Sequence, residues 1–96
     1  MSKSEIILIG AGGHAASCID VIEQQDKFQI AGLIGKQEEL GQSVCGYSIF
    51  GVDKDLPELI KQYKNAHIAI GQIDTEKRNN IYSKVLGLGF SIPTII

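Results

Sequence analysis

The sequence predicts a three-layer α/β/α sandwich around a mostly parallel sheet of about five short strands. Three observations lead there. Val, Ile and Leu gather into short runs that end at glycine, amphipathic stretches with helical spacing separate those runs, and a glycine-rich turn joins the first run to the first such stretch. Together they give the order β-α-β-β-α-β-α-β of a Rossmann-like fold, with no internal repeat and no low-complexity segment.

Ile6 to Ile9 is apolar without alternation, as a strand covered on both faces of a parallel sheet requires. Beyond the glycines, Ala15, Cys18, Ile19 and Ile22 recur at i, i+3, i+4 and i+7, one stripe of a helix that runs to about Gln25. Cys18 reads as a small core residue in that stripe. Phe28 to Ile34 reads as the second strand, Lys36 to Gln42 as a charged, solvated connection, and Ser48 to Phe50, between Gly46 and Gly51, as a short strand. Asp53 or Asp55 is placed to cap the next helix, Pro57 is tolerated in its first turn, and Leu56, Leu59, Ile60 and Tyr63 repeat the stripe. His67 to Ile70 is a further strand, ended by Gly71. The last helix begins near Thr75 with Asp74 as its cap; Ile81, Tyr82 and Val85 form its buried stripe, and Gly87 and Gly89 end it. Phe90 to Ile96 is extended, and Pro93 places it at an edge or an exit rather than in the centre of the sheet.

The 96 residues, 44% of them hydrophobic, supply one compact domain, residues 1–96, that hides roughly 60 to 68% of the unfolded chain's surface. Nine basic against eleven acidic side chains leave a net charge of −2 with both signs scattered, so no nucleic-acid partner is expected. The apolar run at Ile6 is too short for a signal-peptide core or a bilayer span, and the expected location is cytoplasmic, away from membranes. Cys18 and Cys45 lack CxxC spacing and His14 and His67 stand in separate elements, so neither a disulfide nor a metal site is expected. The apolar ending TII is the one expected where a longer polypeptide has been trimmed.

The stretch LIGAGGHAAS, residues 8–17, carries the functional signal. Gly10, Gly12 and Ala15 fit G-x-G-x-x-G/A between a strand and a helix. Glycine lets the backbone turn tightly and approach a ligand without a β-carbon, while the helix start offers unpaired N–H groups and partial positive charge to a phosphate. A dinucleotide site also wants an acid near the end of the second strand, about 20 residues on, to hold the ribose. Here that strand ends in Ile34, Gly35 and Lys36, and Glu38 and Glu39 lie beyond it, so NAD loses ground. His14, beside the helix dipole, reads as a neutral donor or acceptor toward a ligand, or as a surface imidazole capping its own helix. Arg78, in the first turn of the last helix, either pairs with phosphate or bridges to Asp74 or a neighbouring carbonyl. Tyr47 either packs over the sheet edge or stacks on a base.

The strings IILIGAGGHA, AGLIG…GYSIFG, IAIGQ and GFSIPTII run through essentially the whole chain and together resemble the N-terminal domain of the PglD/NeuD-like bacterial sugar acyltransferases. The IGQI stretch and the gap from Gly71 to Arg78 look like the sialic-acid-pathway branch rather than the branch acting on UDP-4-amino sugars. The resemblance implies that this domain binds the sugar substrate, a UDP-sugar or a related amino sugar. A C-terminal left-handed β-helix would form the homotrimer, bind acetyl-CoA and carry a catalytic histidine general base. It further implies that Gly12, Gly13 and His14 line the sugar-nucleotide pocket after the turn at Gly10, with Gly71 closing the other wall. Gly35 and Lys36 stand where many relatives carry an acidic pair, which makes them candidate pocket residues and leaves the nucleoside undefined. No catalytic residue, metal or cofactor is expected in this chain itself; acetyl-CoA is expected for the full-length family member. The rival expectation is a stand-alone nucleotide-binding or NAD-sensing Rossmann module, complete at 96 residues and without acyltransferase activity.

Overall fold

The computed structural model describes residues 4–69 and 75–93. In chain order the elements are β1 (Ser4–Ile9), α1 (Gly13–Gln25), β2 (Phe28–Ile34), β3 (Ser43–Val44), β4 (Tyr47–Gly51), α2 (Leu56–Leu59), β5 (Asn65–Ile68) and α3 (Thr75–Leu88). The sheet order is β3-β4-β2-β1-β5, with β1 parallel to both β2 and β5, β2 parallel to β4, and only β3 antiparallel. This is the mostly parallel α/β sheet that the sequence predicts.

The apolar run explains why β1 is interior. Ile6, Ile7, Leu8 and Ile9 are all buried, and the pleat divides them: Ile6 and Leu8 enter one core, Ile7 and Ile9 the other. The first core is closed by the α1 stripe, Ala15, Cys18, Ile19 and Ile22, all buried as their spacing requires. The second is closed by Leu56 and Val85 of α2 and α3, together with Phe90. Burying one such aliphatic side chain is worth roughly 1.5–3 kcal/mol, so the four β1 residues and the α1 stripe dominate the cohesion of the three layers.

Two strand ends carry the same local device. After β2, Gln37–Glu39 forms a 3-10 turn in which Glu39 Oε1 accepts the Lys36 N–H at 2.7 Å. After β4, Asp53–Asp55 does the same, with Asp55 Oδ2 accepting the Val52 N–H at 2.9 Å. The segments GKQEE and GVDKD thus share a glycine and an acid four residues on. The connection after Lys36 is therefore structured rather than merely solvated. Asp55 caps the amide before its turn, and no side chain caps α2 itself. α2 is a single turn, but the hydrogen bonds Ile60 N–H to Leu56 O and Tyr63 N–H to Leu59 O keep the chain coiled, so Leu59, Ile60 and Tyr63 still pack on the second core.

Elsewhere the structure revises the expected elements. β3 was not anticipated: its hairpin to β4 turns through Cys45 (φ 52°) and Gly46 (φ 88°), two positive φ values that suit a type I′ turn, and a cysteine at the first is a weak turn signal. β5 starts two residues before His67 and ends at Ile68; Ile70, Gly71 and Asp74 lie outside the described residues. Tyr82 is not buried. The α3 stripe is Ile81, Val85 and Leu88, at i, i+4 and i+7, and Tyr82 (45% exposed) and Leu86 (47%) lie on the flank turned from it. Gly87 is inside α3, and the helix is left at Gly89 (φ 103°). Ser91 then runs beside β5, its N–H donating to Lys64 O at 2.7 Å and its carbonyl accepting the Ala66 N–H at 2.9 Å, the edge position that Pro93 predicts.

Val85→Ala should destabilise the fold by about 2 kcal/mol, through two lost methyl groups and the cavity they leave, whereas Tyr82→Ala should cost less than about 1 kcal/mol. Urea denaturation of the two variants checks this, and a larger loss at Tyr82 would contradict the assignment of the buried stripe.

Candidate functional site

All four parallel strands point their carboxyl ends to one edge of the sheet, and the order β4-β2-β1-β5 reverses direction at β1. A crevice opens at such a reversal, where α/β sheets take ligands. The turn from β1 to α1 lies there. Gly10 leaves the strand with φ 118° and its N–H donates to Ile34 O at 2.7 Å, while Ile9 O accepts the Ala69 N–H at 2.8 Å, tying the ends of β1, β2 and β5 into one rim. The positive φ is what demands glycine at position 10.

Gly12 is the N-cap of α1, with φ −78° and ψ −167°, and Gly13 is the first helical residue. No side chain caps this end and the first turn holds no acid; the Ala15 N–H donates to Gly12 O at 2.9 Å, and the amides before it meet no side-chain acceptor and no local negative charge. A β-carbon placed on Gly12 meets nothing within 4 Å, and its backbone conformation suits any residue. The fold alone therefore gives no reason for glycine there; the open space in front of the helix does. His14 is exposed in that first turn and forms no hydrogen bond or ion pair among the described residues, so it does not cap its own helix.

Gly35 has a different reason to be glycine. A β-carbon there would lie 2.9 Å from Glu39 Oε1, 2.9 Å from Ile49 Cγ2 and 3.4 Å from the Ala11 β-carbon. Lys36, next in the chain, is exposed and makes no ion pair among the described residues. Glu39 is what the linear reading missed. Counted along the chain it lies past the end of β2, but the 3-10 turn folds its carboxylate back over Gly35, the residue that also neighbours Ala11 of the glycine turn. The signal that could have found it is the repeated glycine-to-acid spacing of GKQEE and GVDKD.

The structure does not bring Tyr47 to this edge. Its hydroxyl donates to Glu23 Oε2 at 2.6 Å, ten residues and about 15 Å along α1 from the helix start, and its ring packs on the first core. Packing, not base stacking, is its role. Gly71 lies outside the described residues; Arg78 falls in α3, with its side chain outside them. Among the described residues no three His, Cys, Asp or Glu side chains gather as a metal site, neither Cys18 nor Cys45 forms a disulfide, and no helix is long and apolar enough to cross a membrane.

The sequence model of the PglD N-terminal domain matches residues 5–85. The chain belongs to the PglD N-terminal domain family. A mutant of perosamine N-acetyltransferase from Caulobacter crescentus, solved in complex with CoA and GDP-perosamine, is 28% identical to this PglD-type domain with a TM-score of 0.85; the match covers 97% of this chain and 42% of that one. This chain thus spans well under half the length of that enzyme. The acetyltransferase domain of PglB from Neisseria gonorrhoeae (22% identity, TM-score 0.74, 97% and 44% covered) and UDP-D-quinovosamine 4-dehydrogenase from Vibrio fischeri (18%, 0.75, 95% and 76%) share the fold. No curated protein matches the sequence.

Two predictions follow from the local geometry. Gly35→Ala should cost about 1–3 kcal/mol, because the added carbon displaces Ile49 and the Glu39 carboxylate, and a melting temperature equal to wild type would refute that packing. The Glu23 carboxylate accepts the Tyr47 hydroxyl and, with burial and charge repulsion, raises its pKa above 10.0. The stabilisation from this pair is fully present below the tyrosine's unfolded pKa and is lost as pH rises through the raised value. Phenolate absorbance should show one of the three tyrosines titrating late, and Glu23→Ala should move it back.

Proposed function

We propose that this chain is the sugar-nucleotide-binding part of an acetyl-CoA-dependent sugar N- or O-acetyltransferase of glycan precursor synthesis, acting in the cytoplasm on a nucleoside-diphosphate amino sugar. The observation that carries the reading is Gly12: a position the fold leaves free for any side chain, yet bare, in front of an uncapped helix start at the reversal point of the sheet. A diphosphate fits that chemistry, since main-chain amides and the helix dipole receive its charge without a basic side chain. Family membership and the likeness to an enzyme solved with GDP-perosamine support the same ligand class.

In this reading Gly10 makes the turn, Gly12 and Gly13 admit the diphosphate, and His14 donates to or accepts from the sugar. Lys36 adds positive charge at the rim, Arg78 is proposed as a partner for phosphate and Gly71 for the other wall, and Gly35 serves by letting Glu39 lie over it. A UDP-sugar is the proposed ligand, with a GDP-sugar as the neighbouring possibility, and the sialic-acid branch is the proposed setting. Residues here bind and orient. The acetyl-CoA site, the general base and the trimer contacts belong to a part of the protein that this chain does not span, and the sugar's amine or hydroxyl would attack the thioester there.

Calorimetric melting with UDP-N-acetylglucosamine, a GDP-sugar and NAD tests the reading. A ligand at about 100 times its Kd stabilises by roughly 2.7 kcal/mol, a melting shift on the order of 10 °C for a domain of this size. A sugar nucleotide should give that shift and NAD should not; a shift with NAD alone would transfer the site to the reading as an NAD-sensing module. Gly12→Val should keep the free protein's melting temperature to within a few degrees and abolish the shift, because its β-carbon enters empty space in the apo fold and the ligand's space in the complex.

A further inference from the structure

We propose that Glu39 is the ribose-recognition residue of this site, taking through its free carboxylate oxygen the hydroxyls of the nucleoside whose diphosphate the glycine turn holds. The proposal rests on the nucleotide reading above and adds a residue and a chemical group to it. Acids that read ribose in sheets of this kind stand at the end of the second strand, and this chain has Gly35 and Lys36 there. The 3-10 turn supplies the missing carboxylate from four residues further on: Glu39 Oε1 accepts the Lys36 N–H at 2.7 Å, and the same oxygen lies 2.9 Å from where a Gly35 β-carbon would be.

Three features make Glu39 more than a cap. Its Oε1 and the Ala11 β-carbon, inside the Gly10–Gly12 turn, lie 2.9 Å and 3.4 Å from one shared point, the place of a Gly35 β-carbon, so Gly35 is what separates them. Its carboxylate accepts no other hydrogen bond and joins no ion pair among the described residues, which leave its second oxygen open as an acceptor. Its side chain is half-buried and already held by the Lys36 amide, so ordering it costs little when a ligand arrives. Asp55 provides the contrast. It carries the same cap one strand further out, but Gly51 beneath it faces Ile34 and not the glycine turn. The device is shared, and only the copy on β2 stands beside the proposed diphosphate cradle.

Isothermal titration of the chain with UDP, GDP and their 2′-deoxy and 3′-deoxy counterparts tests this. Wild type should bind at least one deoxy form roughly tenfold more weakly than the ribonucleotide, the effect of losing a hydrogen bond to a charged group. Glu39→Gln keeps an acceptor for the Lys36 amide, and Glu39→Asp keeps the cap in the form that Asp55 already uses. Both should melt near wild type and bind ribo and deoxy forms within about twofold of each other. Asp55→Asn should leave the discrimination intact. Equal binding of ribo and deoxy forms by wild type, or full discrimination by Glu39→Gln, overturns the role of Glu39 while leaving the diphosphate reading in place, provided that Gly12→Val still loses binding. Loss of discrimination in Asp55→Asn also overturns it, by tracing the effect to the sheet edge as a whole. Failure of wild type to bind any of these nucleotides overturns both.

Discussion

The structure depends on one strand having no exposed face. β1 pairs on both edges and is buried on both sides, so each of Ile6, Ile7, Leu8 and Ile9 must be apolar and its backbone groups must find partners on β2 and β5. That double burial recruits α1 to one side and α2 and α3 to the other. It also sets where the strand must stop: at Gly10 the backbone takes a positive φ, and the helix that covers the strand starts three residues later. The glycine turn at the sheet's point of reversal is a consequence of how the central strand is satisfied.

The glycines around that crevice are there for three different physical reasons. Gly10 answers a dihedral, and Gly35 answers a packing constraint from Ile49, Glu39 and Ala11. Gly12 answers neither, and for that reason it is the informative one. A motif match treats the glycines alike; their surroundings distinguish a residue that builds the turn from one that keeps space clear in front of it. The same distinction separates Glu39 from Asp55, which share a cap and differ in what lies beside it.

Much of the fold was legible because its signals are periodic and apolar. The stripe Ala15, Cys18, Ile19 and Ile22 is buried as its spacing requires, and Phe28–Ile34 is the second strand from end to end. The glycine turn was equally legible, since strand, glycines and helix follow one another within a few residues. The weaker readings concern marginal elements. β3 is two residues long, with Cys45 in a turn position where asparagine would have announced it. Tyr82 has the right spacing to join a stripe, but the α3 side that meets the second core is formed by Ile81, Val85 and Leu88.

The sequence by itself determined the layers, the identity of the central strand and the place of the glycine turn, because each follows from local periodicity and backbone chemistry. Only the tertiary structure decided which residues meet at the rim. Glu39 lies four residues past the strand end in the chain and yet over Gly35 in space, through a hydrogen bond of 2.7 Å that no count along the chain displays. Tyr47 moved the other way, drawn to Glu23 far from the helix start. Side-chain reach and turn geometry act across the sheet, where spacing in sequence carries little information about distance.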